Sequence, residues 1–206
     1  MSLREQKKHR ARVDILTAAS DLIGRLGYKQ AKMRDIAQAA NISYQTLYNY
    51  FPTKALILQE LLLQEVADTG GEIASLTDNY DGDLLETLQR INAVRIEMVC
   101  RHDRNLWLEV FLDLLKQQRE ATQLAQLIDS AAHEAFGIFF TTVQQRGDLD
   151  AALDVRLLAH MLFALTEQAF LQYFMIPSMS TADLIESINK QTATLVGPYL
   201  VSESAA

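Results

Sequence analysis

The sequence predicts an all-α protein. Apolar residues recur at intervals of three and four along almost all of the 206 residues, and no stretch alternates apolar and polar positions as a half-buried strand does. With 49% apolar residues, the chain has enough apolar side chains to form a buried core. About nine helices account for this pattern.

Caps and chain breaks divide the pattern into elements. Helix ends are expected at Gly27 and Gly147, caps at Thr53, Asp83 and Asp103, and connectors at Gly70-Gly71 and at 77–82. The expected helices lie at about 8–26, 33–40, 44–50, 53–67, 84–101, from about 104, 119–146, 152–175 and 181–197.

The last two expected helices, the eighth and ninth, are apolar on more than one face. In the eighth, Leu157, Met161 and Leu165 accompany a second apolar row that includes Leu158 and Leu162. A helix with two apolar faces needs a second layer to cover it. The pair therefore predicts a self-association surface, and a central helix of a monomer is the alternative.

Charge is divided unevenly along the chain. The net charge is −7, but residues 1–54 contain ten basic and four acidic residues, a net +6, which leaves −13 for the remainder. Phosphate attraction acts over roughly 8–10 Å at ordinary salt. A basic head on an acidic body therefore points to a polyanionic partner at one end.

Several classes of protein and site are not expected. The sequence has no glycine-rich phosphate loop, no HExxH or paired-cysteine spacing and no nucleophile elbow, which argues against an enzyme, a metal site or a cofactor. The lone Cys100 fits a reducing compartment. No leader-like or membrane-spanning apolar run is evident, so a cytoplasmic protein without membrane attachment is expected.

Residues 33–54 have the pattern of a helix-turn-helix. Asn41 occupies the turn and is one of the few non-glycine residues that enter a left-handed backbone cheaply, and Ser43 is placed to cap the second helix. Small or apolar residues suit the steep contact between the two helices. They are Ile36, Ala37, Ala40, Ile42 and Leu47.

The other positions of the second short helix carry uncharged hydrogen-bonding groups. Gln45 and Asn49 can each pair with a purine edge, while tyrosine hydroxyls can reach phosphate oxygens. Arg34 and Lys54 stand where they could grip the DNA backbone on either side. Phe51 is expected to fasten this helix to helix 1, and Tyr50 suits either role.

These motifs resemble the tetracycline-repressor (TetR) family of bacterial regulators. The resemblance rests on Gly27-Tyr28, Met33 to Ala37, Ala40 to Ser43 and, above all, Thr46 to Leu56. It covers roughly the first quarter of the chain. Two departures are Asn41 in place of the usual turn glycine, and Ala31 or Lys32 where Ser or Thr usually caps the first short helix.

The resemblance implies a homodimer of nine-helix subunits that pair through helices 8 and 9 and bind a palindromic operator in double-stranded DNA. The implied domains are a helix-turn-helix domain at 1–54 and a helical ligand-binding and dimerisation domain at 55–206. The predicted DNA-binding residues are Met33, Arg34, Ser43, Tyr44, Gln45, Thr46, Tyr48, Asn49, Tyr50 and Lys54.

A small, largely apolar or aromatic effector is expected among the helices of the body. The alternative for an apolar candidate is a place in the plain core, and for a polar candidate it is a solvated or internally hydrogen-bonded side chain. The candidates are Ile91, Arg95, Met98, Trp107, Phe111, His133, Phe136, Phe163, Glu167 and Phe170. Arg95 is expected to pair with an acid of helix 6 or to meet an anionic ligand, since a buried unpaired guanidinium is costly.

The predicted function is a ligand-responsive repressor that the effector releases from its operator. The alternative is a DNA-binding regulator whose acidic body recruits a protein partner and senses no small molecule.

Overall fold

The computed structural model describes residues 2–104, 106–108 and 133–201. These residues contain no strand, and a single antiparallel bridge joins Leu149 to Leu200. The helices are α1 (Leu3–Leu26), α2 (Met33–Ala39), α3 (Tyr44–Tyr50), α4 (Lys54–Asp78), α5 (Leu84–Cys100), α6 (133–146 as described), α7 (Val155–Met175), α8 (Thr181–Val196) and a 3₁₀ turn (Gly197–Tyr199). The predicted all-α fold is confirmed.

The chain divides into two compact units, 1–67 and 68–206, and the boundary falls inside α4. The sequence had suggested a boundary at 54/55. None of the described helices is both long enough and apolar enough to cross a membrane.

The core of the first unit is built by α1, α2, α3 and the start of α4. Each helix contributes side chains that are almost completely buried, and Phe51 is only 2% exposed, which confirms its predicted role as an apolar fastener. The core residues are Ile15, Leu16, Ala19, Ile36, Ala37, Leu47, Phe51 and Ile57.

Helix α1 begins five residues earlier than predicted. Ser2 caps it, and the Glu5 carboxylate accepts a hydrogen bond from the Ser2 backbone N–H in return. This reciprocal pair satisfies backbone donors at the helix start. The extension continues the helix over a polar, basic stretch that lacks an apolar stripe, and the absence of a stripe is why periodicity alone missed it.

The turn between α2 and α3 follows the local chemistry. Asn41 has φ 55, the one positive value outside glycine among the described residues. The Ser43 hydroxyl accepts a hydrogen bond from the Thr46 backbone N–H at 3.0 Å and caps α3. Both sequence predictions for this turn are confirmed.

Helix α2 begins without a side-chain cap, as predicted, because Lys32 stands at its cap position. Its entry turn is held from elsewhere. The Lys54 ammonium donates to the carbonyl oxygens of Tyr28 and of Ala31, the second at 2.9 Å, and lies 4.1 Å from the centre of the Tyr28 ring. A lysine from the first turn of α4 therefore anchors the chain leading into α2.

The expected break at Gly70-Gly71 is wrong. Helix α4 runs through both glycines to Asp78. Each glycine costs about 1 kcal/mol in a helix interior, but Ile73 and Leu76 lie beyond them and pack against the core of the second unit. Tertiary packing of the last turns therefore outweighs the local preference of the two glycines.

Helices α7 and α8 correspond to the eighth and ninth predicted helices. Helix α7 starts at Val155 rather than near 152, because the Asp154 carboxylate caps it by accepting from the backbone N–H groups of Arg156 and Leu157. Helix α8 ends at Val196, beside the predicted stop at Gly197.

The circumference of α7 is divided among three faces. One face is buried in the second unit through Leu158, Leu162, Thr166, Ala169 and Tyr173. A second carries Phe163, Glu167 and Phe170. The third, which we call the seam stripe, is uncovered and consists of Leu157, Met161, Ala164, Gln168, Leu171 and Met175.

We predict that Asn41→Val destabilises the first unit by about 1–2 kcal/mol, because a β-branched side chain is strained at positive φ. Asn41→Gly should be neutral or stabilising. Hydrogen exchange of the Leu47 amide, at the buried centre of α3, measures the difference. Equal protection in the two variants would contradict the strain argument.

We further predict that Lys54→Met lowers protection of the α2 amides by about 2 kcal/mol, because a charged hydrogen-bond donor to two carbonyls is lost. Lys32→Met is the matched control: Lys32 is exposed and its side chain caps nothing, so its replacement should change protection by less than about 0.5 kcal/mol. If both variants behaved alike, Lys54 would not be the anchor of this turn.

Candidate nucleic-acid interface and buried arginine site

The exposed face of α3 carries the residues predicted to read bases. Tyr44 and Tyr48 are each 48% exposed, and Gln45 and Asn49 are exposed beside them. The buried Leu47 holds the opposite face in the core. The fold therefore presents one row of uncharged hydrogen-bonding groups outward from a short helix.

Two contacts within α3 order this face. The Gln45 amide Nε2 donates to Asn49 Oδ1 at 3.2 Å, and the Thr46 hydroxyl lies 2.8 Å from that of Ser43. Ser43 is thus engaged in capping, and Thr46 is half-buried. A pair of amides already aligned along the helix loses less rotamer freedom on meeting a base edge.

Other residues of the predicted DNA-binding set lie at the edge of this face. Met33 and Tyr50 are half-buried and pack against the core of the first unit. Arg34 is exposed and lines a surface groove between α2 and α3 with Gln38, Asn41 and Tyr44. Lys54 is the anchor of the α2 entry turn, so its charge serves the fold whether or not it also meets a phosphate.

Basic side chains extend along α1 beyond the core. Lys7, Lys8 and Arg10 are exposed. Arg12 is used differently: its guanidinium pairs with Glu60 of α4 and lies 4.7 Å from the centre of the Phe51 ring. The positive charge of the head is therefore partly structural and partly free to face a polyanion.

In the second unit, several predicted effector residues come together around Arg95. The Arg95 guanidinium carbon lies 5.1 Å from the Phe163 ring centre and 5.6 Å from that of Phe170. Its Nη2 donates to Glu167 Oε1 at 3.1 Å. Glu167 of α7 is thus its partner, and the acids of the sixth predicted helix lie outside the described residues.

Burial and a neighbouring carboxylate shift the pKa of this arginine in opposite directions. Desolvation lowers the pKa of Arg95, and the Glu167 carboxylate beside it acts in the opposite direction. The Arg95 side chain is 12% exposed and that of Glu167 is 55% exposed. The cation is therefore enclosed, while the carboxylate that pairs with it reaches solvent.

A small cavity of about 10 Å³ lies against Arg95. Its lining includes Phe136 and Phe163 from the predicted set, but also Thr166 and Thr192, which the sequence analysis missed. A threonine on an apolar helix stripe looks like ordinary core. The i, i+4, i+7 spacing of Phe163, Glu167 and Phe170 was the available signal for one shared face.

His133 extends this cluster. Its ring centre lies 4.6 Å from that of Phe163 and 4.9 Å from that of His160, and the two imidazoles approach to 3.0 Å between His133 Nε2 and His160 Nδ1. In the described ranges, no group of three or more His, Cys, Asp or Glu side chains is arranged to hold a metal ion.

The remaining predicted effector residues lie elsewhere. Ile91 is fully buried in the core that joins α5, α6 and α7. Met98 packs against a separate core cluster formed by α5, α7 and α8. The Trp107 ring stacks on that of Phe174, with 5.9 Å between the ring centres, and its Nε1 donates to the Val99 carbonyl. Phe111 lies outside the described residues.

The helix-turn-helix region matches a known family. Residues 15–61 match the family model described as bacterial regulatory proteins, tetR family. This range contains the buried stripe of α1, all of α2 and α3, and the first turns of α4.

Curated relatives are similar over partial lengths. YvkB of Bacillus subtilis, an uncharacterized HTH-type transcriptional regulator, is 31% identical over 83 residues, covering 40% of this chain and 42% of YvkB. The HTH-type transcriptional regulator LuxR of Vibrio harveyi is 29% identical over 108 residues, covering 52% of this chain and 50% of LuxR. The chain thus spans half or less of these two relatives. The fatty acid metabolism regulator protein of Bacillus subtilis is 24% identical over 170 residues, covering 79% and 83% respectively.

Solved structures share the fold over nearly the whole chain. FadR of Thermus thermophilus, a TetR-family transcriptional repressor in complex with lauroyl-CoA, gives a TM-score of 0.71 at 23% identity and covers 95% of this chain and 98% of its own. FadR of Bacillus subtilis, in complex with stearoyl-CoA, gives 0.67 at 24% identity, covering 89% and 97%. Residues 15–61 therefore match the tetR family of bacterial regulatory proteins, and the chain shares its fold with these two solved structures.

Proposed function

We propose that this protein is a DNA-binding transcriptional regulator that works as a homodimer, represses from a palindromic operator and is released by a small effector with an apolar body. The observation that carries the proposal is the exposed, uncharged hydrogen-bonding face of α3 on a basic head. We place the protein in the cytoplasm, where bacterial DNA is found, and assign it no enzymatic activity.

In this proposal α3 enters the major groove. Tyr44 and Gln45 lie in its first turn, the part of a recognition helix that usually meets base edges. Gln45 and Asn49 supply amides suited to a purine, and Arg34 with the basic start of α1 supplies charge for phosphates. Met33 and Tyr50, which are half-buried, would meet DNA only with their outer atoms.

The seam stripe supports pairing of two subunits through α7 and α8. Its residues are spaced 4-3-4-3-4, the repeat of a helix that packs along a partner helix. Leu157 is 53% exposed and Met175 64% exposed, and Ile185 on α8 adds a further uncovered apolar side chain at 42%. Two copies would bury these apolar residues and place two recognition helices on one duplex.

For the effector, the cluster around Arg95 is the proposed site. Its walls are the rings of Phe136, Phe163 and Phe170, with His133 behind Phe163. The two structurally similar FadR proteins are in complex with acyl-CoA molecules, which supports an effector with an apolar chain here. Effector and operator would oppose each other if they favour different arrangements of the dimer.

Recruitment of a protein partner by the acidic body is the second candidate. It is distinguished by a single comparison: a fall in operator affinity on adding small molecules supports sensing, whereas a gain in affinity on adding a protein partner supports recruitment.

We predict that Tyr44→Ala and Gln45→Ala relax base preference at one or two operator positions, costing about 1–3 kcal/mol for the preferred sequence. Selection of binding sites from random DNA, followed by titration of the selected duplex, measures this effect. Lys190→Ala, an exposed change on α8, is the control. Unchanged preference in both α3 variants would contradict the groove assignment.

We predict that Leu157→Glu converts the dimer to monomers at micromolar concentration, because a carboxylate on the seam stripe would be buried without a partner. Arg156→Glu is the control, since Arg156 is exposed and lies off the stripe on the neighbouring position of α7. Sedimentation equilibrium measures both. A dimeric Leu157→Glu protein would exclude the seam stripe as the subunit interface.

A further inference from the structure

Arg95 is a cation with a side chain that is only 12% exposed, and it has unused donor capacity. A guanidinium has five N–H donors, and among the described residues one hydrogen bond is formed, from Nη2 to Glu167 Oε1. The enclosing groups are mainly the faces of Phe163 and Phe170, which attract a cation but accept no conventional hydrogen bond. Taking a guanidinium out of water in this way is costly unless acceptors replace the water.

The other polar side chains that line the cavity form hydrogen bonds of their own. The Asn92 amide Nδ2 donates to Thr192 Oγ1 at 3.2 Å, and the Thr166 hydroxyl donates to the Leu162 carbonyl at 2.8 Å. These three side chains are all buried. Their hydrogen bonds stabilise the wall of the cavity, and Arg95 is the charged side chain among the lining residues.

We propose that Arg95 is the anchor for a carboxylate of the effector, and that the Glu167 carboxylate holds this place until the effector arrives. The inference rests on the proposed effector response and names its ligand class: a monocarboxylic acid with an apolar body. A planar carboxylate matches the guanidinium fork with two parallel hydrogen bonds. One cation neutralises one carboxylate, whereas the several phosphate charges of a CoA ester would remain unpaired among these rings.

The present cavity is too small for an acid. At about 10 Å³ it has room for about one water molecule, so side chains around Arg95 must move before an acid can bind there. Glu167 is half-exposed, and its carboxylate regains water when it turns outward. The incoming acid keeps Arg95 paired and adds burial of its own apolar body.

This exchange would act on the helix that pairs the subunits. Arg95 lies on α5, whereas Phe163, Glu167 and Phe170 lie on α7, so the exchange breaks an ion pair between the two helices. On α7 these three residues are rotated by roughly 110° from the seam stripe, at 100° per residue. A shift of α7 would therefore change the subunit interface directly.

The first test uses chemical rescue in the full-length protein. In Glu167→Ala, added acetate, which matches the part of the side chain removed beyond Cβ, should raise Tm in a saturable way, while acetamide and sodium chloride at equal ionic strength should not. The Arg95→Leu/Glu167→Ala double variant should show no such rise. No response in the single variant, or an equal response in the double variant, overturns the proposal.

The second test compares ligands on the wild-type protein by calorimetry: dodecanoate, dodecan-1-ol and lauroyl-CoA. We expect dodecanoate to bind about tenfold or more tightly than the alcohol, in line with a charge-assisted hydrogen bond, and Arg95→Leu to remove this ratio. The proposal is overturned if the acid and the alcohol bind equally tightly. It is also overturned if dodecanoate does not bind and lauroyl-CoA binds with an affinity that Arg95→Leu leaves unchanged.

These assays need no DNA, so the two proposals can fail separately. If the protein binds no operator but carboxylate rescue succeeds, the proposed function is wrong and the anion site stands. Both proposals are supported if dodecanoate binds through Arg95, if it lowers the affinity for the operator, and if Arg95→Leu removes this decrease in affinity.

Discussion

A helix that is apolar around most of its circumference must be covered on every side, and α7 imposes this constraint on the second unit. Its buried face is met by α5, α6 and α8. Its second face meets Arg95, whose guanidinium lies near the rings of Phe163 and Phe170 and whose charge is met by Glu167. The seam stripe has no cover within the described part of the chain. An arginine is suited to the second face because it combines an apolar stem with a head that stacks on aromatic rings. The same helix is thereby linked to a buried charge on one side and to an uncovered apolar row on the other.

Arg95 and Glu167 differ in how far they are removed from water. Water around a carboxylate weakens its attraction to a guanidinium, while enclosing the carboxylate would add a cost of desolvation. Glu167 is more than half exposed, so part of the available stabilisation is not realised. The lowered pKa of Arg95 has the same origin, since desolvation outweighs the carboxylate in its effect on the guanidinium. An ion pair optimised for stability alone would bury both partners or neither. Burying only one leaves a site where a better-matched anion can compete.

The head could be predicted from sequence far better than the body, and the difference has a physical cause. The turn at Asn41, the cap at Ser43 and the core position of Phe51 depend on interactions within a few residues, so local rules sufficed. The Lys54 anchor spans 23 and 26 residues to its acceptors and closes a turn that local rules marked only as weak. The break predicted at Gly70 and Gly71 was wrong for the opposite reason. The local preference of glycine against a helix interior was correct, but distant packing outweighed it. Arg95 was recognised as needing a partner, but the identity of Glu167, 72 residues away, depends on how α5 and α7 cross, which periodicity does not determine.

The basic residues of the head differ in whether their charges are paired within the first unit. Arg12 and Lys54 have their charges met inside the first unit, by Glu60 and by backbone carbonyls respectively. These residues stabilise the relative placement of α1, α2 and α4, on which the angle of α3 depends. Lys7, Lys8 and Arg10 make no ion pair with any acid in the described ranges, and their positions on α1 precede its apolar stripe. Unpaired cations that contribute nothing to a core raise the local positive potential of the first unit. The net charge of the whole chain is therefore a poor guide to its partner, and the charge left unpaired on the head is the better one.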